Sequence, residues 1–167
     1  IGYVYFRSYG LNIIRTRAFN HEGPRRDKVF GIPWYAHQIV QIERGLQEPF
    51  MEVGFLDDKR NFTHVSDMVK AYWIAIDKCP PGELFLVGSQ DDSDIHTFRE
   101  ALEKLISMSS IDNIKYEIVD KYVRPTQVPF LISDVSKFMN LTGWKPHIGF
   151  EKILIDTLEY WRKKAST

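Results

Sequence analysis

The 167-residue sequence contains a single cysteine, Cys79, so no internal disulfide can form and a reducing compartment is expected. It has no surplus of charge: 22 basic and 22 acidic residues cancel. Without a global basic field there is little to attract nucleic acid. No apolar run is long enough to span a bilayer and no signal peptide is visible, so no membrane is expected and a cytoplasmic location is. The triplets Asn61-Phe62-Thr63 and Asn140-Leu141-Thr142 are then irrelevant as glycosylation sites. There is no G-x-G-x-x-G, no Walker loop and no nucleophile elbow. The five histidines are scattered, which predicts no metal site, and no general acid/base pair is evident.

What remains is an ordinary globular composition, 44% hydrophobic and 26% charged, with a high aromatic share of 14%. Helical and extended patterns alternate along it, which points to α/β. Gly2 to Tyr9 reads as the end of a helix stopped by Gly10, so residues are expected upstream of Ile1. A strand opens at Ile13-Ile14. A helix is predicted over Val29 to Arg44 from Tyr35, Ile39 and Ile42, with Pro33 in its first turn. Phe50 to Gly54 reads as a short strand and Leu56 to Arg60 as a polar turn. Val65, Met68, Val69, Tyr72, Trp73 and Ile76 give a second helix, to Lys78, a broad apolar face. Leu84 to Val87 is a continuous apolar run, as in a parallel strand buried on both faces. Thr97 and Glu100 form a capping box ahead of the stripe Phe98, Ala101, Leu102 and Leu105. Ile114 to Val119 alternates weakly as a strand. Asp134 to Thr142 is a short helix closed by Gly143, and Phe150 to Lys164 an amphipathic one.

The stretch with most chemistry is Asn12 to Arg26, a strand running into Asn20, His21, Gly23-Pro24 and the pair Arg25-Arg26. Pro24 ends the strand. In open α/β sheets ligands bind at the carboxyl ends of strands, so an amide, an imidazole and two guanidinium groups there suit an anion, as they would a solvated basic turn. Two more loop arginines, Arg60 ahead of the second helix and Arg124, could clamp a diphosphate through forked donors or pair with nearby aspartates. Trp34, Tyr35 and Trp73 fit a core better than a stacking shelf, and His64 fits a helix cap better than a catalyst.

Taken in order, Arg15 to Arg26, Lys59 to Asp67, Arg124 to Val128 and Thr142 to Pro146 resemble the C-terminal part of the extended short-chain dehydrogenases that act on nucleotide sugars. Within that family the GDP-mannose 4,6-dehydratase branch is most similar, followed by the GDP-6-deoxymannose reductases. The resemblance implies the last elements of a Rossmann-type parallel sheet plus a small mixed α/β substrate-binding subdomain, interleaved over residues 1–167. It implies that Asn20, Arg60, Arg124 and Gln127 contact the nucleotide sugar (GDP-mannose). Gln127 stands where the dehydratases often carry an acidic residue, and Trp34 where they tend to carry a lysine. His21 and Arg26 would touch a recycled NADP (or NAD). The catalytic residues are expected upstream, so none is assigned here, and Tyr160 to Lys164 is a chance Tyr-x-x-x-Lys. The intact protein would be a homo-oligomeric lyase, and this portion alone inactive. Another nucleotide-sugar reductase, dehydratase or epimerase is one alternative. A non-catalytic nucleotide-sugar-binding or interaction module is another.

Overall fold

Local signals set most of the boundaries. In the computed structural model, which describes residues 1–123, 125–126 and 128–166, helix α1 spans Gly2–Tyr9 and ends at Gly10 with φ 65°. Strand β1 (Arg15–Ala18) follows, then β2 (His21–Glu22). Helix α2 (Gly31–Glu43) carries Pro33 in its first turn, where the missing N–H costs nothing. Strands β3 (Phe50–Val53), β4 (Lys59–Asn61) and β5 (Thr63–His64) lead directly into α3 (Val65–Lys78). Strands β6 (Leu84–Val87) and β7 (Ile95–Thr97) then lead into α4 (Phe98–Ser107). The last elements are β8 (Lys115–Ile118), β9 (Phe130–Leu131), α5 (Ser136–Thr142) and α6 (Phe150–Ala165). Thr97 and Glu100 form the anticipated capping box, in which the Thr97 side chain accepts from the Glu100 N–H while Glu100 accepts from the Thr97 N–H.

The pairing is mainly parallel, as in a Rossmann-type α/β fold. β1 pairs with β6, β2 with β5 and β3 with β8. β4 is the middle strand of a mixed sheet, antiparallel to β7 and parallel to β9. Two apolar clusters result. One gathers α2, α4 and α6 around Ile32, Ile39, Leu102, Leu105, Ile153 and Leu154. The other sets Met68, Ala71 and Ala75 of α3 and Phe138 of α5 against Phe85 and Val87 of β6. Each large side chain buried this way contributes about 1.5–3 kcal/mol.

Three expectations are corrected. Leu56 to Arg60 is not a polar turn: Leu56 is fully buried in the first cluster, and its neighbours enter β4. β6 is parallel but not buried on both faces, since Leu84 is exposed while Phe85 and Val87 are buried. Of the large apolar residues of α3 only Met68 is fully buried in the core. It shares the buried face with the small residues Ala71 and Ala75. Val69, Tyr72, Trp73 and Ile76 are exposed, Trp73 by 77%.

Asp67 ties the two clusters together. It is the third residue of α3 and fully buried, and its Oδ2 accepts the backbone N–H groups of both His147 and Ile148 at 2.8 Å. Lys70 donates to Oδ1 at 3.2 Å. Burial alone would raise its carboxyl pKa, but these donors outweigh it and hold the group below the usual carboxylate range.

Candidate functional site

The carboxyl end of β1 and the strands beside it open onto a cavity of about 610 Å³. Asn20 lies just past β1, Glu22 on β2, Arg26 in the following loop and Arg60 on β4, and all four line it. Lys28 adds a further cation and Asp58 an acid. The rest of the lining is largely aromatic and apolar, with Phe30, Trp34 and Tyr35 from α2 and its approach, Phe55, Phe98, Tyr122, Val128 and Leu131. A cavity lined by both cations and aromatic rings can bind an anionic ligand that carries a flat ring.

Arg60 and Arg26 are both held in place. Arg60 is 8% exposed; its Nη2 donates to Asp58 Oδ2 at 3.0 Å and its Nη1 to the Lys59 carbonyl at 2.8 Å. It therefore pairs with a nearby aspartate and lines the cavity as well. It is not at a helix N-terminus, as its position in sequence suggested, because Lys59–Asn61 is a strand and α3 begins only at Val65. Arg26 donates from Nη1 to the His21 carbonyl at 2.5 Å and lies over the Phe30 ring, 3.9 Å from its centroid. Its Nε is 3.3 Å from Glu22 Oε2. Burial drives the Glu22 carboxyl up to about 7, against the pull of Arg26.

The loop between β2 and α2 keeps its shape through Gly23 at φ 143° and Arg25 at φ 74°. A Cβ at Gly23 would stand 2.8 Å from Val65 Cγ1, so Gly23→Ala is expected to displace the loop and weaken any ligand that uses Arg26. Thermal melts and titration with an anionic ligand would show both effects.

His21 does not line the large cavity. It lines a neighbouring one of about 240 Å³, together with Glu22, Arg25, Arg26 and Val65. Its Nδ1 lies 2.9 Å from the Phe19 carbonyl oxygen. Glu22 and Arg26 border both cavities. Arg124 and Gln127 lie outside the described residues. His64 is the N-cap of α3, where Nδ1 accepts from the Ser66 N–H, and its Nε2 faces Asp156 at 3.3 Å. Burial lowers its pKa. Trp73, expected in the core, is on the surface. Trp34 is half-buried at the cavity wall, its indole N–H donating to the Glu52 carbonyl, so it serves the wall rather than the core alone. Glu22, Lys28 and Phe55 carried no role in the sequence reading. For Glu22 the one available signal was an acid two residues past Asn20 at a strand end. Among the described residues no group of three metal-binding side chains gathers, and no helix is long and apolar enough to cross a membrane.

A family model described as GDP-mannose 4,6 dehydratase matches residues 1–157. GDP-mannose 4,6 dehydratase 1 of Arabidopsis thaliana is 30% identical over 150 residues, which cover 90% of this chain and 40% of that protein. GDP-6-deoxy-D-mannose reductase of Pseudomonas aeruginosa is 30% identical over 158 residues, 93% of this chain and 50% of that one. Among solved structures, RMD from Pseudomonas aeruginosa complexed with NADPH superimposes with a TM-score of 0.87 at 26% identity, over 98% of this chain and 52% of that one. UDP-glucose 4-epimerase from Thermotoga maritima with UDP-glucose gives a TM-score of 0.76 at 26% identity, over 96% of this chain and 49% of that one. The chain thus spans about half the length of these relatives or less.

Proposed function

Because the chain belongs to the GDP-mannose 4,6 dehydratase family, we propose that it is the nucleotide-sugar-holding part of a GDP-mannose 4,6-dehydratase, a lyase that converts GDP-mannose to GDP-4-keto-6-deoxymannose. The observation that carries this reading is the convergence of Asn20, Arg26 and Arg60 on one cavity with an aromatic wall. The guanidinium of Arg60 is fixed by Asp58 before any ligand arrives, so little ordering is left to be done on binding. With Lys28 and Arg26 it offers three cations to a diphosphate, and Asn20 offers an amide donor. Trp34, Phe30 and Tyr122 provide faces for a base or a hexose. Held by its remote diphosphate, the sugar is oriented for chemistry carried out by groups outside this chain.

The dinucleotide is proposed to be NADP (or NAD), which when bound supplies reversible hydride acceptance. The smaller cavity suits it: His21, Arg25 and Arg26 are clustered there, and Arg26 Nε is buried without a hydrogen-bond partner. Within this chain His21 would hold it together with Arg26, which borders both cavities and can reach either ligand, while Arg124 and Gln127 remain proposed contacts to the nucleotide sugar. A cytoplasmic setting and a homo-oligomeric parent belong to the same reading.

Calorimetric titration with GDP-mannose, GDP and UDP-glucose tests it. Guanine-selective binding is expected. Arg60→Ala is expected to weaken it about 10- to 100-fold, the worth of a charge-assisted hydrogen bond. Equal binding of the uridine ligand would point to an epimerase-like relative. Absence of binding, or no effect of Arg60→Ala, would overturn the reading in favour of a non-catalytic module. A second reading, GDP-6-deoxymannose reductase, is favoured by the TM-score of 0.87 to RMD and by Trp34 standing where the dehydratases tend to have lysine. Product analysis with the full-length protein separates the two.

A further inference from the structure

Glu22 is an unusual side chain to find in a cavity that takes an anion. It is 3% exposed, and its Oε2 makes no hydrogen bond. The Arg26 Nε opposite is 3.3 Å away, also buried and also without a hydrogen bond. The two charges attract, but the geometry leaves both atoms unsatisfied, so the pair is poised rather than locked. Arg26 is meanwhile held by the His21 carbonyl and the Phe30 ring, and both residues border both cavities.

We propose that Glu22 is the proton-linked partner of Arg26: a diphosphate that engages Arg26 from the cavity takes over its positive charge, and the Glu22 carboxylate is then neutralised by one proton drawn from solvent. The inference rests on the reading of the large cavity as the diphosphate site. An added anion can only favour the protonated acid, and at this burial solvent does little to screen the carboxylate. The free carboxyl already sits at about 7 through burial, so a modest further push changes its charge near neutral pH.

Other charged groups do not offer a substitute partner. His64 lies opposite Glu22 in the β2–β5 register, and its Nε2 is directed at Asp156 of α6. His21 is the neighbour on β2. Across the cavity Arg60 is paired to Asp58 on the approach to β4, and Lys28 lies on the loop before α2.

The test is calorimetry of this chain with GDP-mannose at pH 7 and 8, each in two buffers of different protonation enthalpy. The diphosphate of GDP-mannose is a diester, so any proton exchanged near neutrality comes from the protein. Uptake of a little under half a proton per ligand is expected at both pH 7 and pH 8, with affinity falling about two- to threefold per pH unit between them. Glu22→Gln should bind without that uptake and without that slope, at the affinity the parent reaches at low pH. Carboxyl-carbon NMR on the unsubstituted chain reads the same event directly: the Glu22 titration should move upward when GDP-mannose is added. Binding with no proton uptake, or uptake that survives in Glu22→Gln, overturns the inference and leaves the diphosphate reading standing. No binding of GDP-mannose by the parent overturns the diphosphate reading and this inference with it.

Discussion

Glu22→Gln is expected to melt well above the parent chain at pH 8 and only slightly above it at pH 5. The Glu22 carboxyl is raised from 4.5 to about 7 by burial. In the unfolded chain it ionises near the ordinary value, so between the two values the folded state binds the extra proton. Lowering the pH through that window therefore stabilises the fold, and above 7 the folded chain carries a buried carboxylate at full cost. The shift corresponds to about 3 kcal/mol, already net of the attraction to Arg26. Glutamine removes the charge and keeps the shape. At pH 8 its advantage should amount to about 6–12 °C in melting temperature for a chain of this size. Scanning calorimetry of both proteins at the two pH values checks it, and equal melting at pH 8 would mean that Glu22 is solvated in the folded chain. A residue that destabilises the fold where it borders a cavity is the pattern expected of a binding site rather than of a core.

The second large effect is at Asp67. Replacing it by alanine removes the acceptor of the His147 and Ile148 N–H groups and the partner of Lys70, and leaves two partly buried donors without it. A loss of about 2–3 kcal/mol is expected. The Asp67→Asn variant keeps one acceptor oxygen, and should recover part of it. Because the folded carboxyl is below its ordinary value, its contribution is present at neutral pH and fades as the pH falls through the folded value. Denaturant unfolding at pH 7 and at pH 3 measures both: the difference between parent and Asp67→Asn should shrink at the lower pH. The same bond set fixes the approach to α6 relative to α3, so hydrogen exchange at Ile148 should accelerate in either variant.

The helices were readable because their signals are local. Gly10 and Gly143 stop chains of helical spacing, and Thr97 with Glu100 declares a start. β1 and β6 were readable as strands, but nothing in either said that they pair with each other. β4 was misread because Asp57, Asp58, Lys59 and Arg60 look like a solvated turn. Their strand is set by β7 and β9, which lie far along the chain. α3 misled for the opposite reason. Its periodicity was sound, but the face with Met68, Ala71 and Ala75 entered the core, and the face with Val69, Tyr72, Trp73 and Ile76 was left outside. Of the site, Asn20, Arg26 and Arg60 were legible through an ordered family resemblance, and their convergence on one cavity is a matter of geometry. Glu22 was not legible as special, because burial is a property of what surrounds a residue, and its surroundings come from β5 and the α2 approach.

The register of β4 has a consequence for how the molecule comes into being. Arg60 sits across from His96 on one side and Leu131 on the other. Its seat therefore closes only when two widely separated stretches have arrived, each at the entropic expense of a long loop. On the ribosome, a nascent chain ending before β9 would have its first helices in place and no finished cavity around Arg60. Ligand capture should switch on late and abruptly during synthesis. A series of stalled chains of increasing length would record the step when the segment around Leu131 clears the exit tunnel.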